Sequence, residues 1–221
     1  DQPHVYWQMS QAYASLIPRP DSLEYYTRKA LELIPNWTFA CCDAAFNISN
    51  KFKMFDRAES YLNQASMLDS ASLLLKNAWG SIYSITHRYR EAEMIFNKVV
   101  QYDSTYLYAF YNLGIMYSEV HNFEKAEAAF KKVIQLDSTL ALPWNNLGKV
   151  FADTRRFDSA ETVFKKAIQL DSTTFIAWYN LGIMYSEVRN YQKAEATFKK
   201  AIQLDSSHAL AWNNLGKVFA D

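Results

Sequence analysis

The chain has almost no cysteine, and the two it has, Cys41 and Cys42, are adjacent. Neighbours on a helix point about 100° apart and seldom bond to each other. No disulfide framework is therefore available, and both read as small buried residues. Charge of one sign is also missing: Lys+Arg 23 against Asp+Glu 23 leaves net zero. That removes the basic face that nucleic acid or an anionic membrane surface selects. No apolar run approaches the length of a membrane span, so no membrane insertion is expected. Histidine is scarce as well. His87 and His121 fall between paired helices, His208 falls in a turn between repeats, and His4 stands near the start. None converges with a nucleophile or a carboxylate pair, and no metal-ligand spacing occurs. The chain is expected to be no enzyme, with no metal and no cofactor. No signal peptide is visible, and Asp1 in place of methionine points to a processed product or an excerpt.

Glycine is equally sparse, and its placement carries the most information. The five glycines are Gly80, Gly114, Gly148, Gly182 and Gly216, each 34 residues from the next. Ala58, Ala92, Ala126, Ala160 and Ala194 keep the same step, as do Asp-Ser pairs starting at 69, 103, 137, 171 and 205. A fixed period of this length is the mark of a repeat architecture. Within one unit, Trp144, Leu147 and Phe151 are spaced by three and then four, with Gly148 on the same face. Phe157, Ala160, Phe164, Ala167 and Ile168 make a second apolar stripe. Both spacings are helical. Glu127–Lys131, Glu161–Lys165 and Glu195–Lys199 are favourable i,i+4 pairs on the solvated side of the second helix. Glycine inside a helix costs about 1 kcal/mol against alanine. Its retention predicts a close crossing of the second helix, with the repeating alanine facing it.

WNNLGKVF followed by AETVFKKA resembles the tetratricopeptide repeat. The family pattern of Trp, Leu-Gly, Tyr, Ala, Phe and Ala is met almost fully in 107–140, 141–174 and 175–208. It is met partly in 73–106, where Trp79 takes the Leu place. It is weak in 39–72, where Cys42, Ala45, Phe46 and Ser49 replace the signature. Residues 1–38 resemble a degenerate first repeat with a Pro18-Arg19-Pro20 turn, and 209–221 hold only the first helix of a further repeat. The resemblance implies an all-α, right-handed α-solenoid of stacked helix-turn-helix repeats, one continuous domain with a concave groove lined by the first helices. One departure is consistent: Ser follows Asp in the turn between repeats, where the family usually has Pro.

The copied unit is longer than one repeat. Residues 171–204 match 103–136 at 25 of 34 positions but match 137–170 at only 17. Groove chemistry should therefore alternate with a 68-residue period. By the resemblance, Asn112, Asn146, Asn180 and Asn214 face inward, and in some members such a ladder holds an extended peptide by its backbone. An amide both donates and accepts, which suits that task. Tyr111, Ile115, Tyr179 and Ile183 would make apolar rungs; Asn145, Lys149, Asn213 and Lys217 would make polar ones. Acids recur at Glu119, Asp153, Glu187 and Asp221. This differs from the basic clamp by which co-chaperone members hold an acidic carboxyl terminus.

Two further expectations concern the surface. Ser22, Ser70, Ser104, Ser138, Ser159 and Ser172 each follow Asp and precede a small or aliphatic residue. The pattern resembles an O-glycosylation acceptor of exported bacterial proteins, which would place the chain outside the cytoplasm. Turn and helix capping explains the same residues without modification. Asn36 and Asn47 open N-glycosylation sequons. At the last helix, Trp212, Leu215 and Phe219 lack a partner helix, and a solenoid normally closes with a polar cap.

The primary expectation is a protein-interaction scaffold that holds an extended segment of a protein or peptide partner in its groove. The alternative is a structural subunit joining head to tail, through the Pro3–Tyr13 segment of another copy, into an extracellular filament. A regulatory array attached to an enzyme outside these residues is a third reading.

Overall fold

The computed structural model describes residues 2–15 and 19–220, with side chains for all of these except 13–15 and 220. Pro18 of the expected turn and Asp221 of the acidic series lie outside the described residues. Thirteen α-helices and no strand occur among the described residues. The chain falls into two compact units, Asp1–Ala109 and Phe110–Asp221.

The first unit holds α1 (Pro3–Ser15), α2 (Pro20–Leu33), α3 (Thr38–Phe52), α4 (Phe55–Leu68), α5 (Leu73–Ile85) and α6 (Tyr89–Tyr102). Its core gathers Leu23, Ala40, Cys41, Ala45, Ile48, Ala58, Leu62 and Ile82. Cys41 and Cys42 are both free and buried, and burial pushes their thiols up to about 11 and about 12. They are packing residues without thiolate character at neutral pH. Asp43 accepts a hydrogen bond from Trp7 Nε1 at 3.3 Å and another from Gln11, tying α3 to α1.

The second unit begins within α7 (Leu107–Glu119). It continues through α8 (Phe123–Leu136), α9 (Ala141–Asp153), α10 (Phe157–Leu170), α11 (Phe175–Glu187), α12 (Tyr191–Leu204) and α13 (Ala209–Ala220). The first helices α7, α9 and α11 each end in a tight reversal. His121, Arg155 and Arg189 adopt left-handed backbone, with φ of 58°, 58° and 57°. The N–H after each bonds back to a helix carbonyl at 2.8 Å, as Asn122 does to Tyr117 and Asn190 to Tyr185. These are Schellman closures built without glycine. Asn122 and Asn190 then cap the second helix, accepting at Oδ1 from Lys125 N and Lys193 N, each at 3.2 Å.

The turn between repeats is also closed by side chains. Asp137 Oδ1 accepts from the Thr139 N–H at 2.9 Å and hydroxyl at 2.6 Å; Asp171 does the same with Thr173 at 2.9 and 2.7 Å. The serine carbonyl in between takes the indole N–H of the following helix: Ser138 from Trp144 at 3.0 Å, Ser172 from Trp178 at 3.1 Å.

Glycine marks where the helices of a pair meet, with one correction. A Cβ on Gly114, Gly148 or Gly182 would lie 2.6–2.7 Å from the ring of Phe130, Phe164 or Phe198. The glycine makes room for phenylalanine, not for the repeating alanine. These rings are the largest fully buried side chains of the unit. The alanine is buried too, four residues ahead of the ring.

Candidate functional site

The first helices of the second unit lie side by side, and their facing residues are joined at one level. Asn146 Nδ2 donates to the Tyr111 hydroxyl at 3.1 Å, Asn180 Nδ2 to Asn145 Oδ1 at 3.0 Å, and Asn214 Nδ2 to the Tyr179 hydroxyl at 3.1 Å. The three bonds are equivalent and run from each helix to the one before it. Asn145 Nδ2 in turn donates to Asn146 Oδ1 at 3.2 Å. Burial pushes the Tyr111 phenol up, so it stays neutral and able to accept.

This arrangement changes the expected roles. Asn145 is 2% exposed and wholly engaged, so it is a structural cross-link and not a contact for a ligand. Asn146, Asn180 and Asn214 each spend an amide hydrogen on the neighbouring helix, which fixes how the amide is turned. The carbonyl oxygens of Asn180 and Asn214 accept nothing within the described residues. Asn112 is half-buried at the corresponding level of α7.

One turn further along each helix stand Ile115, Lys149, Ile183 and Lys217, and a turn beyond them Glu119, Asp153 and Glu187. Lys149 and Lys217 are exposed and make no ion pair among the described residues. Lys131, Lys165 and Lys199 on the second helices are each paired with glutamate at 2.6 Å. A cavity of about 180 Å³ opens between α11 and α13, lined by Ile183, Ser186, Glu187, Asn214 and Lys217 among others. The buried Ser186 Oγ has no hydrogen-bond partner among the described residues.

One row was missed. Leu142, Ile176 and Leu210 stand a turn before the asparagines on the same face; Leu142 and Leu210 are 50% and 58% exposed. Their 34-residue spacing carried the signal, but they fall outside the family's structural signature.

Elsewhere, Glu161 accepts from Lys165 at 2.6 Å and the Tyr185 hydroxyl at 2.8 Å, with Lys193 at 3.5 Å. These partners hold its carboxyl down to about 2. The cluster fastens α12 and α11 to α10. Each histidine rests on an aromatic ring: His4 on Trp37, His87 on Tyr89, His121 on Phe123, His208 on Phe175. No group of three metal-ligating residues occurs among the described residues, and none of their helices is long and apolar enough to cross a membrane.

The remaining surface expectations divide. Ser70, Ser104, Ser138, Ser159 and Ser172 are exposed, and Ser22 is half-buried. Asn36 is exposed, but Asn47 is 6% exposed and donates to the Asp43 carbonyl at 3.0 Å and to Gln11 at 3.3 Å. A glycan on Asn47 would break that packing. On α13, Trp212 and Phe219 are 53% and 63% exposed, whereas Leu215 is 6% exposed. Leu215 faces into the unit and is no part of an open apolar face.

Paired helices repeating every 34 residues, with a glycine-to-phenylalanine contact in each full pair of the second unit, define a helical-hairpin repeat protein. Tetratricopeptide repeat models match residues 107–140, 142–174 and 175–208. The chain is a tetratricopeptide repeat protein. Among solved structures it is similar to YrrB, a TPR protein with an unusual peptide-binding site, at 24% identity and TM-score 0.58 over 85% of this chain and 96% of that one. It resembles yeast Tom70 at 16% identity and TM-score 0.82, over 99% of this chain but only 46% of that one. It also resembles Pseudomonas aeruginosa pilF at 18% identity and TM-score 0.69, over 99% of this chain and 96% of that one. A comparison with curated protein sequences gives no match.

Proposed function

We propose that the second unit is a non-enzymatic interaction module that holds an extended segment of a protein or peptide partner across α7, α9, α11 and α13. The observation that carries this is the row of amides at Asn146, Asn180 and Asn214, each oriented by a bond to the preceding helix. A pre-oriented amide does not lose rotamer entropy when a ligand arrives, which raises its worth as a contact. The unmatched oxygens of Asn180 and Asn214 would accept from backbone N–H groups, and the exposed leucines alongside would bury ligand side chains. The similarity to YrrB fits this reading. Selection of peptides from a random display library, followed by NMR mapping of a selected peptide, tests it. Shifts at Asn180, Ile183 and Lys149 are expected; shifts confined to α8, α10 and α12 would refute it.

A second reading, self-assembly, would act through α13. Gly216 has nothing within 4 Å of its Cβ position, while its counterparts each hold a phenylalanine ring. With Trp212 and Phe219 exposed beside it, α13 offers a place for a further helix. The Pro3–Ser15 helix contains no phenylalanine, so a head-to-tail filament through it would need a different contact. Sedimentation velocity of Trp212→Glu/Phe219→Glu against the parent protein tests the filament: concentration-dependent growth abolished by the charges supports it. O-glycosylation at the exposed Asp-Ser turns belongs to the same extracellular reading, and intact-mass measurement on protein from its native source decides it.

A further inference from the structure

We infer that the ligand segment is read in steps of two repeats: its acidic residues recur about every six positions, with an apolar residue midway. This rests on the groove reading above and adds the chemistry and register of the ligand. The copied 68-residue unit gives α7 and α11 one face and α9 and α13 another. At the middle turn the order is Ile115, Lys149, Ile183, Lys217. The inter-helix bonds confirm that these helices are stacked in register. Tyr111 meets Asn146, Asn145 meets Asn180, and Tyr179 meets Asn214, always 35 residues apart.

The charge of this face is confined to narrow rows. Asn146, Asn180 and Asn214 make the preceding turn polar but uncharged, Leu142, Ile176 and Leu210 make the turn before that apolar, and Glu119, Asp153 and Glu187 make the following turn acidic. Lys149 and Lys217 are thus the cations between a neutral amide row and an acidic one, and neither has an ion-pair partner among the described residues. A ligand carboxylate is drawn to the lysine, repelled by the acids one turn on, meets only neutral amides one turn back and is excluded by the apolar row two turns back. It settles best at the lysine level, on alternate helices. The isoleucines between them suit an apolar side chain.

Spacing follows from general dimensions. Packed helices lie about 10 Å apart, and extended peptide advances about 3.3 Å per residue. One repeat therefore spans about three ligand residues, and the distance between equivalent lysines spans about six.

The test uses the whole chain and fluorescein-labelled peptides read by anisotropy. One peptide carries two glutamates about six residues apart with leucine midway; others carry them about five or about three apart, or have glutamine or lysine in their place. The six-spaced peptide is expected to bind about fivefold tighter than the five-spaced one, with the difference fading at high salt. Exchanging rungs with Lys149→Ile and Ile183→Lys places lysines on neighbouring helices, so the preferred spacing should fall to about three without any change in net charge. Lys149→Gln, at an exposed position, should abolish the spacing preference and guards against a folding defect in the exchanged variant. Equal binding of all spacings, a preference for lysine-bearing peptides, or a preference unmoved by the exchange would overturn the inference while leaving the groove in place. Binding of none of these peptides, together with failure of library selection, would remove both.

Discussion

Asn180 Nδ2 stands 3.0 Å from Oδ1 of Asn145, a residue only 2% exposed on the preceding helix. A buried amide is stable only when its donors and acceptors are matched. Truncating Asn180→Ala leaves the Asn145 carbonyl without its donor and is expected to cost about 1–3 kcal/mol. The double variant Asn145→Leu/Asn180→Leu should cost less than the sum of the two single leucine changes. Urea unfolding of this double-mutant cycle measures the coupling; strict additivity would show that the bond has no energetic role.

Gly148 and Gly216 sit in identical surroundings by sequence and in opposite ones by structure. A Cβ at Gly148 falls 2.6 Å from the buried Phe164 ring, while one at Gly216 meets nothing within 4 Å. Gly148→Ala should destabilise by about 1–3 kcal/mol through overpacking. Gly216→Ala should be neutral or stabilise by up to about 1 kcal/mol, because alanine is the better helix former. Thermal and urea denaturation of the two variants gives the comparison directly.

Phe164 fills the place that the glycine leaves. Phe164→Ala should cost about 3–5 kcal/mol, since a 1%-exposed ring leaves a cavity that its helices cannot fully close. Phe219→Ala on α13 removes a ring that is 63% exposed and should change stability far less.

Acid should loosen the α10–α11–α12 junction. The Glu161 carboxyl falls from its usual 4.5 to about 2 because it accepts from Lys165 and then from Tyr185. A depressed folded-state pKa contributes stability that is complete above about pH 4.5 and lost as pH falls toward about 2. Glu161→Gln should flatten this part of the pH–stability curve while leaving the region above about pH 5 parallel to the parent. Urea midpoints measured across that window test it; an unchanged acid slope would show the ion cluster to be inert.

Burial also decides between the two sequons. If the protein is made in a secretory pathway that adds N-glycans, the folded product should carry one at Asn36 and none at Asn47, whose amide is already donated to Asp43 and Gln11. Peptide mapping before and after glycosidase treatment reads the outcome.

The sequence by itself determined the helical pairs, their 34-residue period and the 68-residue copying, because packing of identical units demands identical residues at the contacts. Five glycines on one period pointed to a repeated close approach, which four of them make and Gly216 does not. The partner in that approach was decided in three dimensions. Alanine and phenylalanine both recur four residues apart on the second helix, and only the crossing geometry put the ring over the glycine. The same holds for the asparagines. Asn145 and Asn146 are neighbours in sequence and equally polar, yet the rotation of α9 buries one as a cross-link and leaves the other partly open to solvent. Leu215 and Phe219 share one apolar spacing, but α13 packs through only part of its circumference, so one is buried and the other exposed. Periodicity records which residues repeat, whereas helix rotation and the neighbour on each side determine which of them meet.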